Sequence, residues 1–250
     1  MHKTVIDISK NPFFRNVITV ASGTAVAQVI AMAFTPLITR LYSPEIFGLQ
    51  GLFVSVVTLL STVAALSYPT AIVLPRSDSD ALGLAKLSIS IGLLIALLTS
   101  IALMFSGDKL FILLNAEAIS AYSFLIPVAM FVSVLSAVLS QWLIRKKAFS
   151  LTARFTVLTS FLLNLIRTGM GIVYPTAIVL IITNLAGTVI GTALTYLGWR
   201  KFSVEQRFRQ EQGDSATTLA QLAGRYRDFP LLRTPQNLIN AFSHSLPVIL

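Results

Sequence analysis

Residues 87–107 read Leu-Ser-Ile-Ser-Ile-Gly-Leu-Leu-Ile-Ala-Leu-Leu-Thr-Ser-Ile-Ala-Leu-Met-Phe-Ser-Gly, a run with no charge in it. A helix rising 1.5 Å per residue needs roughly 20 apolar residues to cross about 30 Å of hydrocarbon, and this run has that length. It is apolar all round, with no polar stripe to face water. Working outward, residues 16–39, 46–75 and 118–144 are also free of charge and bounded by charged residues. Residues 155–199 contain one charge, Arg167, and are long enough for two spans, with Tyr174-Pro175 as the break between them. Six complete helices are expected, at about 17–40, 49–74, 85–106, 119–143, 153–173 and 176–199, with the start of a seventh from 234. Backbone groups in lipid must be satisfied within the segment, so the class is an all-α polytopic membrane bundle. The segments are too long and too unalternating for barrel strands.

Composition agrees. The 250 residues are 55% hydrophobic and 12% charged, with a mean hydropathy of +0.79. Soluble domains carry about 25% charged residues. The shortage excludes a disordered chain and argues against a soluble enzyme. Absence of cysteine excludes disulfides, thiolate metal sites and a cysteine nucleophile.

The net charge of +9 sets orientation. On one side lie Lys3, Lys10 and Arg15; Arg76 and Lys86; Arg145, Lys146, Lys147 and Arg154; and Arg200, Lys201, Arg207, Arg209, Arg225, Arg227 and Arg233. On the other lie only Arg40 and Lys109, with Arg167 inside the membrane. The positive-inside rule then places the N-terminus in the cytoplasm and removes the case for a nucleic-acid partner. A cleavable signal peptide is not expected, because the first apolar run is too long and continues into Arg40-Leu41-Tyr42 without a small-residue cleavage site.

Three regions follow: a six-helix lobe at 1–199, a cytoplasmic linker at 200–233, and the start of helix seven at 234–250. Within the linker, residues 215–224 read as a short helix with Ser215 before it and Gly224 as its stop. Tyr-Pro-Thr-Ala-Ile-Val-Leu occurs at 68–74 and again at 174–180, but the flanks do not match and no inverted repeat is read from it. Thr183, Gly187, Gly191 and Thr195 recur every four residues and mark a packing face, repeated weakly by Gly23 and Ala27. Pro36, Pro69 and Pro127 fall within apolar runs, where each is expected to kink its helix.

The chemical inventory is short. His2 and His244 are far apart, so no zinc pair exists, and no phosphate-binding Gly-rich loop is present; neither metal nor cofactor is expected. No Asp or Glu falls inside the six apolar runs, so no carboxylate relay for proton coupling is visible. What remains is basic and amide-bearing. Arg167 lies inside the fifth span with Asn164 one turn before it, and an arginine in lipid costs ~2.5–3.5 kcal/mol on insertion scales. It is expected to face the bundle interior and to suit an anionic substrate such as a diphosphate. Arg40, Arg15 and Gln28 are further candidates for the substrate pathway, with interfacial snorkelling the alternative for the two arginines.

Three stretches carry a family resemblance. Thr35-Pro-Leu-Ile-Thr-Arg-Leu-Tyr-Ser-Pro-Glu-Ile-Phe-Gly48 resembles the first loop of bacterial polysaccharide biosynthesis membrane proteins, the O-antigen and capsule flippases. Tyr68-Pro-Thr-Ala-Ile-Val-Leu-Pro75 resembles the end of their second helix. Tyr226-Arg-Asp-Phe-Pro230 through Leu246-Pro247 resembles their linker and the beginning of helix seven. The resemblance implies the multidrug/oligosaccharidyl-lipid/polysaccharide exporter superfamily: two related bundles, twelve to fourteen helices, alternating access. Its implied activity is to turn an undecaprenyl-diphosphate-linked oligosaccharide from the cytoplasmic to the periplasmic leaflet of the inner membrane, for lipopolysaccharide, capsule or exopolysaccharide. Cationic cavity residues are common in that family, which Arg167 matches by type. The chain then corresponds to an N-terminal half, and its implied partners are membrane lipid, the lipid-linked oligosaccharide, a C-terminal lobe and polysaccharide assembly proteins. Other readings are a cation-coupled drug exporter of the same superfamily, a non-transporting assembly subunit, and a membrane polymerase or glycosyltransferase, which the short outer connections disfavour.

Overall fold

The computed structural model describes residues 12–113, 117–207 and 218–249, with side chains described for 17–107, 109, 111–112, 117–198 and 218–245. All regular elements among them are helical: α1 (Pro12–Leu41), α2 (Pro44–Ala65), α3 (Asp78–Leu113), α4 (Leu125–Arg145), α5 (Phe149–Val173), α6 (Ala177–Arg207), α7 (Leu219–Arg225) and α8 (Thr234–Ile249). A single turn at Tyr68–Ala71, a 3-10 turn at Glu117–Tyr122 and a π turn at Phe229–Arg233 join them. Six helices, α1–α6, are long and apolar enough to cross a membrane. Their outer faces match that solvent: Met104 is 83% and Phe105 80% exposed, which no soluble protein sustains over a whole surface. At 16 residues, α8 is shorter than the six.

Contacts between named residues give the packing order and directions. Gly23 meets Ala153 and Gly171 meets Tyr42, so α1 and α5 run parallel, as the first and fifth crossings of a serpentine chain must. Leu163 faces Gly187 while Phe155 faces Gly198, so α5 and α6 are antiparallel. Gly92 against Val134 and Asp78 against Arg145 set α3 antiparallel to α4. The largest core lies between α2 and α4, where Leu52, Phe53 and Val56 bury against Ile126, Met130 and Val134, with Ile181 of α6 closing it.

Several boundaries differ from expectation. The second span ends at Ala65 rather than 74, because Leu66 and Ser67 turn into the left-handed region with φ of 45° and 55°. The next helical turn begins at Tyr68-Pro69, where proline lacks the N–H that a continuous helix requires. Pro69 therefore starts a turn instead of kinking a span. Pro127 is the third residue of α4, where its missing N–H has no intrahelical partner to lose. Pro36 alone stays inside its helix. The third span is longer than expected at both ends, with a kink at Ser106. Glu45, Asp78 and Asp80 thereby fall in the first turns of α2 and α3, where carboxylates complement the helix dipole. The linker helix is capped by Thr218, whose N–H donates to Gln221 Oε1 at 3.2 Å, and runs one residue past Gly224; Ser215 lies outside the described residues.

Candidate functional site

The intramembrane arginine sits where α1, α5 and α6 meet. Arg167 lies six residues before the end of α5, about 9 Å along the axis, midway between the centre of the helix and its C-terminal end. Its Nε donates to Thr183 Oγ1 on α6 at 3.3 Å, committing one of five guanidinium donors. Thr183 is buried and its own hydroxyl donates to the Leu180 carbonyl at 3.1 Å. From the end of α1, Tyr42 Oη donates to the Arg167 carbonyl at 2.9 Å. Burial holds the Tyr42 phenol above its ordinary pKa, partly offset by the guanidinium, so it stays a protonated donor. Gly171 admits this ring, since a Cβ there would stand 2.8 Å from Tyr42 Cε2. The guanidinium thus rests on the Thr183 hydroxyl while Tyr42 fixes the backbone that carries it. Among the described residues no carboxylate pairs with it: the ion pairs all involve Asp78 or Asp80.

The other candidates distribute along the same α1–α5 seam. Asn164 is buried one turn before Arg167 and donates to the Ser160 carbonyl at 2.8 Å, while Ser160 donates across to the Ala27 carbonyl on α1 at 2.9 Å. Gln28, next to Ala27, is exposed, and so is Arg40, two residues before Tyr42. Arg15 falls outside the residues whose side chains are described, as do Lys3, Lys10, Arg200, Lys201, Arg207 and Arg209. Arg167 and Thr183 therefore come together, Asn164 is engaged one turn away by the Ser160 carbonyl, and Arg40 and Gln28 stand exposed on α1.

Packing residues divide. A Cβ added at Gly187 would collide with Leu163 Cδ1, whereas one at Gly191 would meet nothing within 4 Å. Thr183 is turned to Arg167, and Thr195 is partly buried. Gly23, the weaker signal in the sequence, makes the closer backbone approach: its Cβ would lie 2.5 Å from Ala153 Cβ and 2.8 Å from Ala153 Cα. The expectation rested on spacing along one helix, and spacing cannot tell which turns a neighbour reaches.

A second polar assembly, unforeseen from the sequence, lies at the basic end of the bundle. Arg145 closes α4 with its side chain 10% exposed and donates from Nε to Asp78 Oδ1 at 2.9 Å. Its Nη groups reach the carbonyls of Ile72, Pro75 and Ser77 at 3.2, 2.7 and 3.0 Å, and Lys146 Nζ donates to Asp78 Oδ2. The linker docks here as well. Leu222 of α7 is fully buried against Ala81, Leu84 and Tyr68, and Tyr68 Oη donates to the Ala223 carbonyl at 3.4 Å. Thr234 Oγ1 and Asn237 Nδ2 lie 3.1 and 3.2 Å from Ser67 Oγ, at the left-handed elbow after α2. The available signal was Arg145-Lys146 on one connection and Ser77-Asp78-Ser79-Asp80 on another assigned to the same side.

Neither the curated proteins nor the solved structures include a match to this chain. Residues 13–224 match the family described as Polysaccharide biosynthesis protein. That match covers all six membrane-length helices and the docked linker helix nearly to its end. With most of its length matched, the chain belongs to the polysaccharide biosynthesis protein family, and its six apolar helices make it a multi-pass membrane protein.

Proposed function

We propose that the chain forms one lobe of a flippase that carries an undecaprenyl-diphosphate-linked oligosaccharide across the bacterial cytoplasmic membrane by alternating access. The observation that carries this reading is Arg167: a guanidinium kept inside a span, framed by Thr183 and the Tyr42-bound turn, with no carboxylate neutralising it among the described residues. Holding a charge there is costly, and a planar fork of donors fits a diphosphate in two-point contact. The family supplies the biosynthetic setting. The basic end of the bundle faces the cytoplasm by the positive-inside rule. The chain works as a transporter and not as an enzyme. A second bundle completes the pathway, and α8, packed on α2, is the beginning of helix seven. A drug exporter driven by proton or cation would need a carboxylate within the span, and the apolar runs hold none.

The decisive experiment is substitution of Arg167 with the second bundle present. Arg167→Ala is expected to abolish most glycan export while insertion persists, and Arg167→Lys to restore part, because a point charge replaces the fork. Export is read by complementation and by flipping of labelled lipid-linked oligosaccharide in vesicles. Full activity of Arg167→Leu would end the anion-contact role.

A further inference from the structure

The outer surface of the lobe contains a groove apart from Arg167 and its partners, its wall shared at Ala85, Val138 and Trp142 with the core under the linker helix. It lies between α3, α4 and α6 and has a volume of about 480 Å³, within the usual range for a bound small molecule. It is lined by Ala85 and Ile89 of α3, Leu135 and Leu139 of α4, and Val189 and Ala193 of α6. Its lining is apolar almost throughout, and Lys86, Trp142 and Tyr196 contribute their apolar parts at the end toward the basic residues. Lys86 lies two turns into α3 after Asp78, Trp142 precedes Arg145 by three residues, and Tyr196 precedes Gly198 by two. Lys146 Nζ stands 5.7 Å above the Trp142 ring, so cation and aromatic share one level. Trp, Tyr and snorkelling lysines at one level mark the headgroup boundary of a leaflet.

The groove lies on the face of α4 turned away from α2. On α4, Ile126, Ala129, Met130 and Val134 turn toward α2, and at 100° per residue the groove stripe of 132, 135, 139 and 142 lies on the opposite side. α8 packs on α2 and leaves the groove uncovered. Lys86 is exposed, and among the described residues no carboxylate pairs with it. Basic pockets between membrane helices on the cytoplasmic side bind anionic headgroups.

We propose that this groove holds an acyl chain of one anionic glycerophospholipid, with its phosphate on Lys86 and its glycerol level against Trp142 and Tyr196. The apolar wall sets the chain and the single cation selects the headgroup charge. The proposal rests on the six helices crossing a membrane with their basic end in a headgroup layer, so it stands or falls independently of the transported substrate.

Native mass spectrometry of the whole chain, released from membranes containing phosphatidylglycerol and phosphatidylcholine with matched acyl chains, tests it. Phosphatidylglycerol is expected to be retained in preference, and Lys86→Ala to reduce that preference about fivefold, the change worth roughly one basic residue at a membrane surface. Lys86→Arg keeps the preference, and Lys109→Ala, at the opposite end of α3, leaves it unchanged. Ala193→Trp fills the groove and removes retention of both lipids, with helicity by circular dichroism confirming the fold. Equal retention of the two lipids by the unaltered chain overturns the proposal. Retention indifferent to both Lys86→Ala and Ala193→Trp does the same, as does displacement of phosphatidylglycerol by a polyprenyl phosphate added in equal amount.

Discussion

Arg145 and Arg167 are both arginines in or beside apolar helices, and their surroundings separate their roles. Arg145 has a carboxylate and three near carbonyls, so its charge is spent on the structure of the 72–78 connection. Arg167 has a hydroxyl and, among the described residues, no carboxylate to offset its charge. Removing Arg145 leaves the Ile72, Pro75 and Ser77 carbonyls without their donor and Asp78 with Lys146 alone, which costs several kcal/mol. Arg145→Ala is therefore expected to lower stability by about 3 kcal/mol, read by unfolding in micelles, with Arg145→Lys recovering a minor part because one ammonium cannot span the same carbonyls. A loss below about 1 kcal/mol, the range of exposed pairs, would place Arg145 among the ordinary surface cations.

At the scale of elements, two glycines of similar sequence appearance differ in what faces them. Gly23 brings α1 against the backbone of α5, and a rigid neighbour at Ala153 Cα cannot move aside as a side-chain tip can. Gly23→Val is expected to destabilise the α1–α5 pair by about 2 kcal/mol through overpacking. Gly191→Ala meets nothing within 4 Å and removes a poor helix former, so it is expected to be neutral or stabilising by up to about 1 kcal/mol. Thermal unfolding of the two variants side by side checks the contrast, and equal losses would refute it. The repeated heptapeptide shows the same dependence on context. At 68–74 it follows the left-handed elbow and Tyr68 is buried, while at 174–180 it joins α5 to α6 and Tyr174 is 67% exposed. Identical residues take different roles because the linker helix covers the first copy.

For the whole molecule, the serpentine pairing gathers Arg76, Arg145, Lys146, Arg154 and the docked linker at one end, and Arg40 and Arg167 toward the other. Orientation in the cell follows from the energy of moving those cations across the membrane. The chain has no cysteine, so single replacements report cleanly. In intact cells, a membrane-impermeant thiol reagent is expected to spare Ser150→Cys and to label Thr176→Cys, which is exposed between α5 and α6. The reverse pattern would invert the topology and, with it, the direction of the proposed transport.

Hydropathy along the chain determined the fold class by itself, because lipid leaves the backbone almost no alternative to a helix and charge-free length is a local property. It also made Arg167 conspicuous, since any charge inside such a run stands out. Where α2 ends and what Arg145 binds were not determined at that level. The break at Leu66-Ser67 and the ring of carbonyls depend on residues 67, 145, 222 and 234 meeting across the bundle. The same holds for Gly23 over Gly191, and for the groove walled by three helices. Periodicity says which face of a helix is apolar or small, but lipid and protein are equally apolar neighbours, so only tertiary packing decided which faces meet protein and which meet the membrane.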